Sequence, residues 1–471
     1  MNETLDVIII GAGSAGLAAV REVRKHTQNF VIINDGPWGT VCARVGCMPS
    51  KALIEAANAF YYRNTFTEFG IQGANFLTPD IPAVLRRVRR LRDNFVASTV
   101  KTTENLGRRG ISGRARLLAP DRLEVNGQEL RARNIIIATG SSPIVPKPWS
   151  TLEKQILTTD TLFEQENLPT RMAILGMGPI GVEMAQALSR LGIEVAGFGG
   201  NKMIAGLTDP QVNSVAIELL GRELSLNLGE KAELTAVSEG LRVQAGDSEV
   251  VVDGVLVALG RRPNINNLGL ETLGVPLDEH GMPPINRSTM QVADLPVFMI
   301  GDANDQSPIL HEAADEGYIA GFNATHSAPI CFARRIPLAI VFADPSIAVV
   351  GSRYQALDST KTLVGEVTFD NQGRARLGQY NKGILRLYAE AQSGRLLGAE
   401  MCAPAGEHMA HLLALAIDRS LTVRELLRIP FYHPALEEGL RTALRALMAQ
   451  LPASNESDLA TCGAFNSEAL D

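Results

Sequence analysis

Val7-Ile8-Ile9-Ile10-Gly11-Ala12-Gly13-Ser14-Ala15-Gly16 decides how the N-terminal part of the chain folds. The β-branched run Val7 to Ile10 has the character of a buried parallel strand. The glycine turn follows, then a helical stretch from Leu17 to about Lys25, then a second strand from Phe30 to Ile33. Together these predict a βαβ unit. Glycines in such a turn let the backbone bend sharply and approach a pyrophosphate, which then rests on the helix N-terminus. The candidate contacts are Gly11, Gly13, Ser14, Ala15 and Gly16, with Asn34 or Asp35 at the strand end to meet the ribose hydroxyls.

The pattern returns 165 residues later, from Gly11 to Gly176. Arg171 to Leu175 reads as a strand, Gly176-Met177-Gly178-Pro179-Ile180-Gly181 as the turn, Val182 to Leu191 as the helix, and Ile193 to Phe198 as the second strand. A single turn of this kind is weak, but two of them, each set between strand and helix, imply two dinucleotides. The ribose position lies some 20 residues past the turn. Here it falls on Gly199-Gly200-Asn201-Lys202, with no acid, which leaves NAD(H) and NADP(H) both open. Lys202 alone predicts weak discrimination, within about tenfold.

Further out, helical stretches are expected near 51–67 and 81–107, the latter carrying Arg86-Arg87-Val88-Arg89-Arg90 as a solvated face. Asn134 to Ala138 and Val250 to Leu259 read as strands ending in Thr139-Gly140 and Gly260-Arg261-Arg262-Pro263. After Pro329 the chain turns to strands of alternating polarity and two helices, Glu407 to Arg419 and Thr422 to Leu427. The end of the chain, 451–471, is polar and is expected to be disordered.

At 471 residues the chain is too long for one core. A net charge of -7 gives no footprint for nucleic acid or anionic lipid. No apolar run reaches the roughly 18 residues of a membrane helix, and acids rather than bases precede the first apolar stretch, which argues against a signal peptide. Five cysteines are too few for a secreted disulfide framework, so a cytoplasmic enzyme is expected.

Two of those cysteines stand close together, in Cys42-Ala43-Arg44-Val45-Gly46-Cys47, followed by Met48-Pro49-Ser50-Lys51. Residues five apart can meet across a distorted helical turn. No second cysteine pair or histidine cluster completes a zinc site, so no metal is expected. A thiolate near a helix N-terminus and a lysine has a lowered pKa. Cys331 and Cys402 read as packing residues, His408 and His411 as neighbours on a helix, and Cys462 as an incidental tail residue.

These residues make the chain resemble the family of dihydrolipoamide dehydrogenase, glutathione reductase and mercuric reductase, from about Leu5 to Met448. Gly39-Thr40-Val41-Cys42 through Lys51 looks like its disulfide helix, and Ala138-Thr139-Gly140 and Gly301-Asp302 look like its flavin motifs. Phe342-Ala343-Asp344-Pro345 resembles the start of its interface domain, and Tyr432-His433-Pro434 through Glu438 its C-terminal His-Pro motif. The resemblance implies an α/β fold with two Rossmann-like dinucleotide-binding domains, for FAD and NAD(P), plus a C-terminal α+β dimerisation domain. The implied boundaries are 1–150 and 276–335 for the FAD-binding and central parts, 151–275 for NAD(P) and 336–450 for dimerisation.

It further implies that Cys47 is the thiolate nearest the flavin and Cys42 the interchange thiol. Lys51 and Glu183 would pair beside the flavin's reactive nitrogen, Asp302 would hold the ribityl chain, and His311 would lie by the ring. Gly39, Thr40, Thr139, Gly140, Pro179, Ile180, Gly260 and Gly301 would contact the cofactors. His433, oriented by Glu438, would serve as acid–base catalyst in a homodimer, crossing from the partner subunit.

The implied substrate is a small dithiol or disulfide, or a lipoyl domain, with dihydrolipoamide dehydrogenase the nearest pattern. A reductase of another disulfide or a metal ion is the alternative, and a flavin redox sensor or complex subunit without turnover is one of another class. Departures bear on the substrate. Trp38 replaces a glycine, Asn34 a glutamate and Pro179 a tyrosine, Ala43-Arg44 puts a cation between the cysteines, and Phe431-Tyr432 precede His433.

Overall fold

The computed structural model describes residues 4–152 and 155–453, so the expectations for Cys462 and for the tail from residue 454 lie outside the described residues. The first βαβ unit forms as expected: β1 (Leu5–Ile10), α1 (Ser14–Val23) and β2 (Phe30–Asn34). Parallel pairing continues from β1 to β2 and on to β3 (Gly110–Ser112) on one side. On the other side it continues through β6 (Gln128–Ile137) to β17 (Val297–Met299). β4 (Ala115–Ala119) and β5 (Arg122–Val125) extend the edge as an antiparallel meander. Val7 to Ile10 and Ile135 to Ile137 are buried on both faces, as a covered parallel strand must be.

α8 (Leu310–Asn323) covers this sheet beside α1. The two helices cross so closely that a methyl added at Gly317 would meet Ala15 O at 2.4 Å. That approach brings Gly301-Asp302, just ahead of α8, to the mouth of the first glycine turn. α2 (Val41–Arg44), α3 (Cys47–Tyr61) and α4 (Ile81–Glu104) follow and pack on one another.

The second sheet is entirely parallel, in the order β11 (Ser225–Leu228), β10 (Glu194–Gly199), β9 (Arg171–Leu175), β15 (Gly254–Val257), β8 (Ile156–Leu157). α5 (Thr159–Leu162), α6 (Pro179–Arg190) and α7 (Pro210–Gly221) belong to this region. An antiparallel sheet of β12 (Glu233–Val237), β13 (Gly240–Ala245) and β14 (Ser248–Val252) leads into β15. The expected strand from Val250 to Leu259 is therefore two. The break is Asp253, whose carboxylate binds the Arg171 guanidinium at 2.5 Å and the Arg171 N–H at 3.2 Å as the chain changes sheets. β7 (Ser141–Pro143) and β16 (Arg261–Pro263) pair as a short ribbon where the chain enters and leaves this region.

The C-terminal part is a five-stranded antiparallel sheet. Its order is β18 (Leu338–Val341), β19 (Ser346–Gly351), β22 (Leu396–Ala403), β21 (Ile384–Glu390), β20 (Thr362–Thr368), with the short α9 (Gly373–Leu377) between β20 and β21. The expected alternation of polarity fails in β21 and β22, which are almost wholly buried because helices pack against them. Those helices are α10 (Gly406–Asp418) and α12 (Glu438–Met448), the latter not foreseen, with α11 (Val423–Leu427) packed on α12.

The arginine run on α4 is more than a solvated face. Arg87 donates to Ala52 O at 3.0 Å and Arg89 to Phe163 O and Gln165 O, which ties α4 to α3 and to the second sheet's first loop. No helix among the described residues is long and apolar enough to cross a membrane.

Candidate active site

The first turn is built by close packing. A methyl on Gly16 would stand 1.9 Å from Gly11 O, whereas one on Gly13 would meet nothing within 4 Å. Gly13, at the N-cap of α1, caps it with no side chain, so the first N–H groups of α1 face an open cradle suited to a diphosphate. A cavity of about 390 Å³ continues from Gly11 past Asn34, Asp35, Arg114, Thr139 and Asn264. Thr139 Oγ1 is buried with no hydrogen-bond partner among the described residues, a group left for a ligand. The Asn34 carboxamide is already spent on the turn itself. Its oxygen accepts from Ala12 N at 3.0 Å and its nitrogen donates to Gly36 O at 3.1 Å. Asp35, exposed and 3.9 Å from the Arg114 guanidinium, is the acid at this strand end. These features fit FAD.

The cysteines sit on either side of a helix break. Cys42 is in α2, which Thr40 caps by accepting from Ala43 N at 3.1 Å. The chain leaves helical geometry at Val45 and Gly46 and restarts at Cys47, the first residue of α3. Both are thiols here. The two thiols act on one another and are unequal. Donation from Cys42, helped by the charge of Lys51, lowers Cys47 to about 7. The same bond, with burial, pushes Cys42 up, so Cys47 is the thiolate of the pair.

Lys51 Nζ donates to both carboxylate oxygens of Glu183, at 2.9 and 2.8 Å, and lies 4.5 Å from the Phe342 ring centroid. Glu183 also accepts from Phe342 N at 2.9 Å. The cation expected between the cysteines turns away. Arg44 is two residues from Cys42 on a helix, a spacing that does not share a face, and its stem covers Gly39, where an added methyl would meet Arg44 Cδ at 3.2 Å.

The second turn lines a groove of about 880 Å³, with Gly176, Gly178, Pro179 and Ile180 on one wall and Gly199, Gly200 and Asn201 at the strand tip. Gly178 and Pro179 open α6 without a side-chain cap, again leaving a helix N-terminus for an anion. Gly260, Arg261 and Asp302 line the same groove. Ser141 Oγ donates to Asp302 at 2.6 Å, while Arg261 donates to Ser141 Oγ at 2.8 Å and to Ser141 O at 2.6 Å. Gly301 N donates at 2.7 Å to Glu316, a buried carboxylate on α8 that also binds Arg334. Ser141, Arg261 and Glu316 thus hold the Gly301-Asp302 loop, and sequence reasoning had stopped at Gly260. His311 sits in the first turn of α8, 44% exposed at its side chain, and Gly140 turns at φ +70°.

His433 lies in the loop just ahead of α12. Its Nδ1–H donates to the Glu438 carboxylate at 3.0 and 3.1 Å, and Ala435 N donates to the same carboxylate at 3.2 Å. The bond from His433 holds the Glu438 carboxyl below its ordinary range. Nε2 is left outward on a side chain that is 79% exposed.

Cys402 is buried, and burial pushes it up to about 12. Cys331 is exposed rather than packed, and its neighbour Phe332 is the one that packs, partly buried, against the first domain's core. No group of three or more metal-ligating side chains that could hold a metal converges among the described residues, His408 and His411 included.

An asymmetric dithiol at a helix N-terminus, set between two uncapped glycine turns, defines a dithiol oxidoreductase that uses two dinucleotides. Residues 5–317 match the family described as pyridine nucleotide-disulphide oxidoreductase, and residues 337–444 match its dimerisation domain. The chain belongs to the pyridine nucleotide-disulphide oxidoreductase family, whose members use FAD and NAD(P).

It is 31% identical to the dihydrolipoyl dehydrogenase of Thermus scotoductus, over 95% of this chain and 98% of that one. It is 29% identical to the mercuric reductase of Staphylococcus aureus, over 93% of this chain and 81% of that one. The solved structure of LpdA from Mycobacterium tuberculosis superposes with a TM-score of 0.83 at 23% identity, covering 95% of this chain and 100% of that one. The Cu(II) complex of the HOCl-induced flavoprotein disulfide reductase RclA from Escherichia coli does so at 0.82 and 21%, covering 94% and 99%.

Proposed function

We propose that the chain works as a homodimer that passes electron pairs between a small dithiol of the dihydrolipoyl kind and NAD(P). The observation that carries this reading is the dithiol across the α2–α3 break, one helical turn ahead of the Lys51–Glu183 pair, with Cys47 held below and Cys42 above the ordinary thiol range. FAD, when bound, supplies the two-electron link between the dithiol and the nicotinamide.

The remaining steps belong to the protein's own groups. With Cys42 and Cys47 joined as a disulfide, a substrate thiolate attacks Cys42 Sγ. The S–S bond breaks, Cys47 leaves as the thiolate that Lys51 holds, and a mixed disulfide forms on Cys42. His433 Nε2 of the partner subunit takes the proton of the second substrate thiol, which attacks the sulfur bound to Cys42. The cyclic disulfide leaves, and Cys42 departs as a thiolate that recovers the proton from the imidazolium. The substrate loses two electrons and the cysteine pair gains them. The outward Nε2 of His433 and its exposure support a role across subunits. Asp302, held by Ser141, and Lys51, paired with Glu183, would be the cofactor-side contacts.

Dihydrolipoyl substrates are favoured by the relatives at about 30% identity. A second reading, a reductase driven by NADPH, is favoured by the acid-free tip at Gly199-Gly200. A turnover matrix of NADH and NADPH against lipoamide, glutathione disulfide and other small disulfides tests both. The lipoyl reading expects lipoamide to give the highest kcat/KM. Faster turnover of glutathione disulfide would contradict it.

A further inference from the structure

β10 and β11 run parallel and end side by side, joined beyond their tips by Gly229 N donating to Gly199 O at 2.8 Å. Glycines at these ends leave room for two lysines that cross over one another's strand. A methyl built at Gly229 would meet Lys202 Cγ at 3.4 Å and Cε at 3.5 Å. A methyl built at Gly200 would meet Lys231 Cγ at 3.5 Å. Lys202, which follows β10, therefore lies over the end of β11, and Lys231, which follows β11, lies over the end of β10.

Both lysines are exposed, and neither ammonium group has a hydrogen bond or ion pair among the described residues. The adjacent acid, Glu230, lays its stem elsewhere, with Cγ 3.3 Å from a methyl built at Gly246. The groove that begins at the second glycine turn reaches this tip, at Gly199, Gly200 and Asn201.

In a βαβ unit with the diphosphate on the helix N-terminus, the 2′ position of the adenosine ribose falls at the tip of the second strand. A carboxylate there bonds the 2′-hydroxyl and repels a phosphate. Here the carboxylate is absent and the stems of two lysines cross, Lys231 beside Gly200 and Lys202 beside Gly229. We propose that Lys202 and Lys231 together bind the 2′-phosphate of NADP(H), so that the chain favours NADP(H) over NAD(H). This rests on the groove being the nicotinamide nucleotide site. Lys202 alone predicted discrimination within about tenfold. A second lysine of similar effect raises the expected preference to about thirtyfold.

The test uses the FAD-loaded protein and measures the affinities of adenosine 2′,5′-bisphosphate and 5′-AMP by calorimetry, in wild type, Lys202→Gln, Lys231→Gln and the double variant. The wild type should bind the bisphosphate about thirtyfold more tightly. Each single variant should lose about fivefold of that preference and the double variant nearly all of it, with 5′-AMP affinity unchanged throughout. The preference should also shrink at high salt. Equal affinity of the two ligands for wild type would overturn the proposal and leave the groove reading standing, as would an equal loss of both ligands in the variants. Binding of neither ligand would overturn both.

Discussion

Lys51 Nζ lies 2.8 and 2.9 Å from the two carboxylate oxygens of Glu183, a residue 132 positions away on α6, the helix of the second glycine turn. One ion pair thus joins the helix that carries Cys47 to the helix that opens the second glycine-turn groove. Glu183 is nearly buried, and its remaining bond is to the Phe342 N–H, where the dimerisation domain begins.

That pair sets the first prediction. Lys51 acts on Cys47 as a nearby positive charge, which favours the thiolate. Lys51→Met should raise the Cys47 pKa above its value of about 7, by about one unit, and cut turnover at neutral pH about fivefold. The sign follows from the charge: without the cation, a higher pH is needed to form the same thiolate. The pH–rate profile should move to higher pH and activity should partly recover there. An unshifted profile would remove Lys51 from the account.

A second prediction separates folding from cofactor binding in the first turn. At Gly13 an added methyl meets no protein atom, while at Gly16 it would collide with Gly11 O at 1.9 Å. Gly13→Ala should leave the thermal stability of the FAD-free protein almost unchanged and weaken FAD retention, as read by flavin fluorescence after gel filtration. Gly16→Ala should lower both, with a stability loss of about 1–3 kcal/mol. If Gly13→Ala held FAD like the wild type, the cradle would be wrongly placed.

The third concerns His433. A positioned base contributes about 10² to 10⁴ in rate, so His433→Gln should lose that much dithiol turnover. Artificial acceptors that draw on FAD should be little affected. Mixing Cys42→Ser subunits with His433→Gln subunits should restore activity in heterodimers if each site takes its histidine from the other subunit. Verified subunit exchange without recovery would contradict the shared site. Glu438→Ala should give a smaller loss than His433→Gln, since Glu438 orients the ring and stabilises its protonated form.

What the sequence revealed was mostly local. The two glycine turns were legible because their spacing recurs between strand and helix, with Gly16 and Gly181 packed on the carbonyls of Gly11 and Gly176, and the dithiol because its two cysteines lie five residues apart. What depended on distant pairing was hidden. Asp253 breaks an otherwise continuous apolar run because Arg171, far back in the chain, captures its carboxylate. Lys231 reaches the ribose tip of another strand, and Arg261 reaches Asp302 through Ser141, neither of which local spacing reveals. Arg44 pointed the other way, since Lys51 and not Arg44 is the cation acting on the thiols. α12 was readable and missed, for Leu440, Ala443, Leu444 and Leu447 recur at helical spacing and are all buried.

The central claim is that Cys47 is the flavin-side thiolate and Cys42 the thiol that exchanges with substrate. It is tested most directly by absorbance titration of FAD-loaded Cys42→Ser and Cys42→Ala. The serine hydroxyl can still donate to Cys47, as the Cys42 thiol does. Cys42→Ser should therefore show a long-wavelength thiolate–flavin band that appears as pH rises through about 7, without disulfide turnover. In Cys42→Ala, which lacks that donor, the band should appear only at higher pH, and in Cys47→Ser it should be absent at every pH. A band that survives in Cys47→Ser, or disulfide turnover in a Cys42→Ser/Cys47→Ser double variant, would contradict the account.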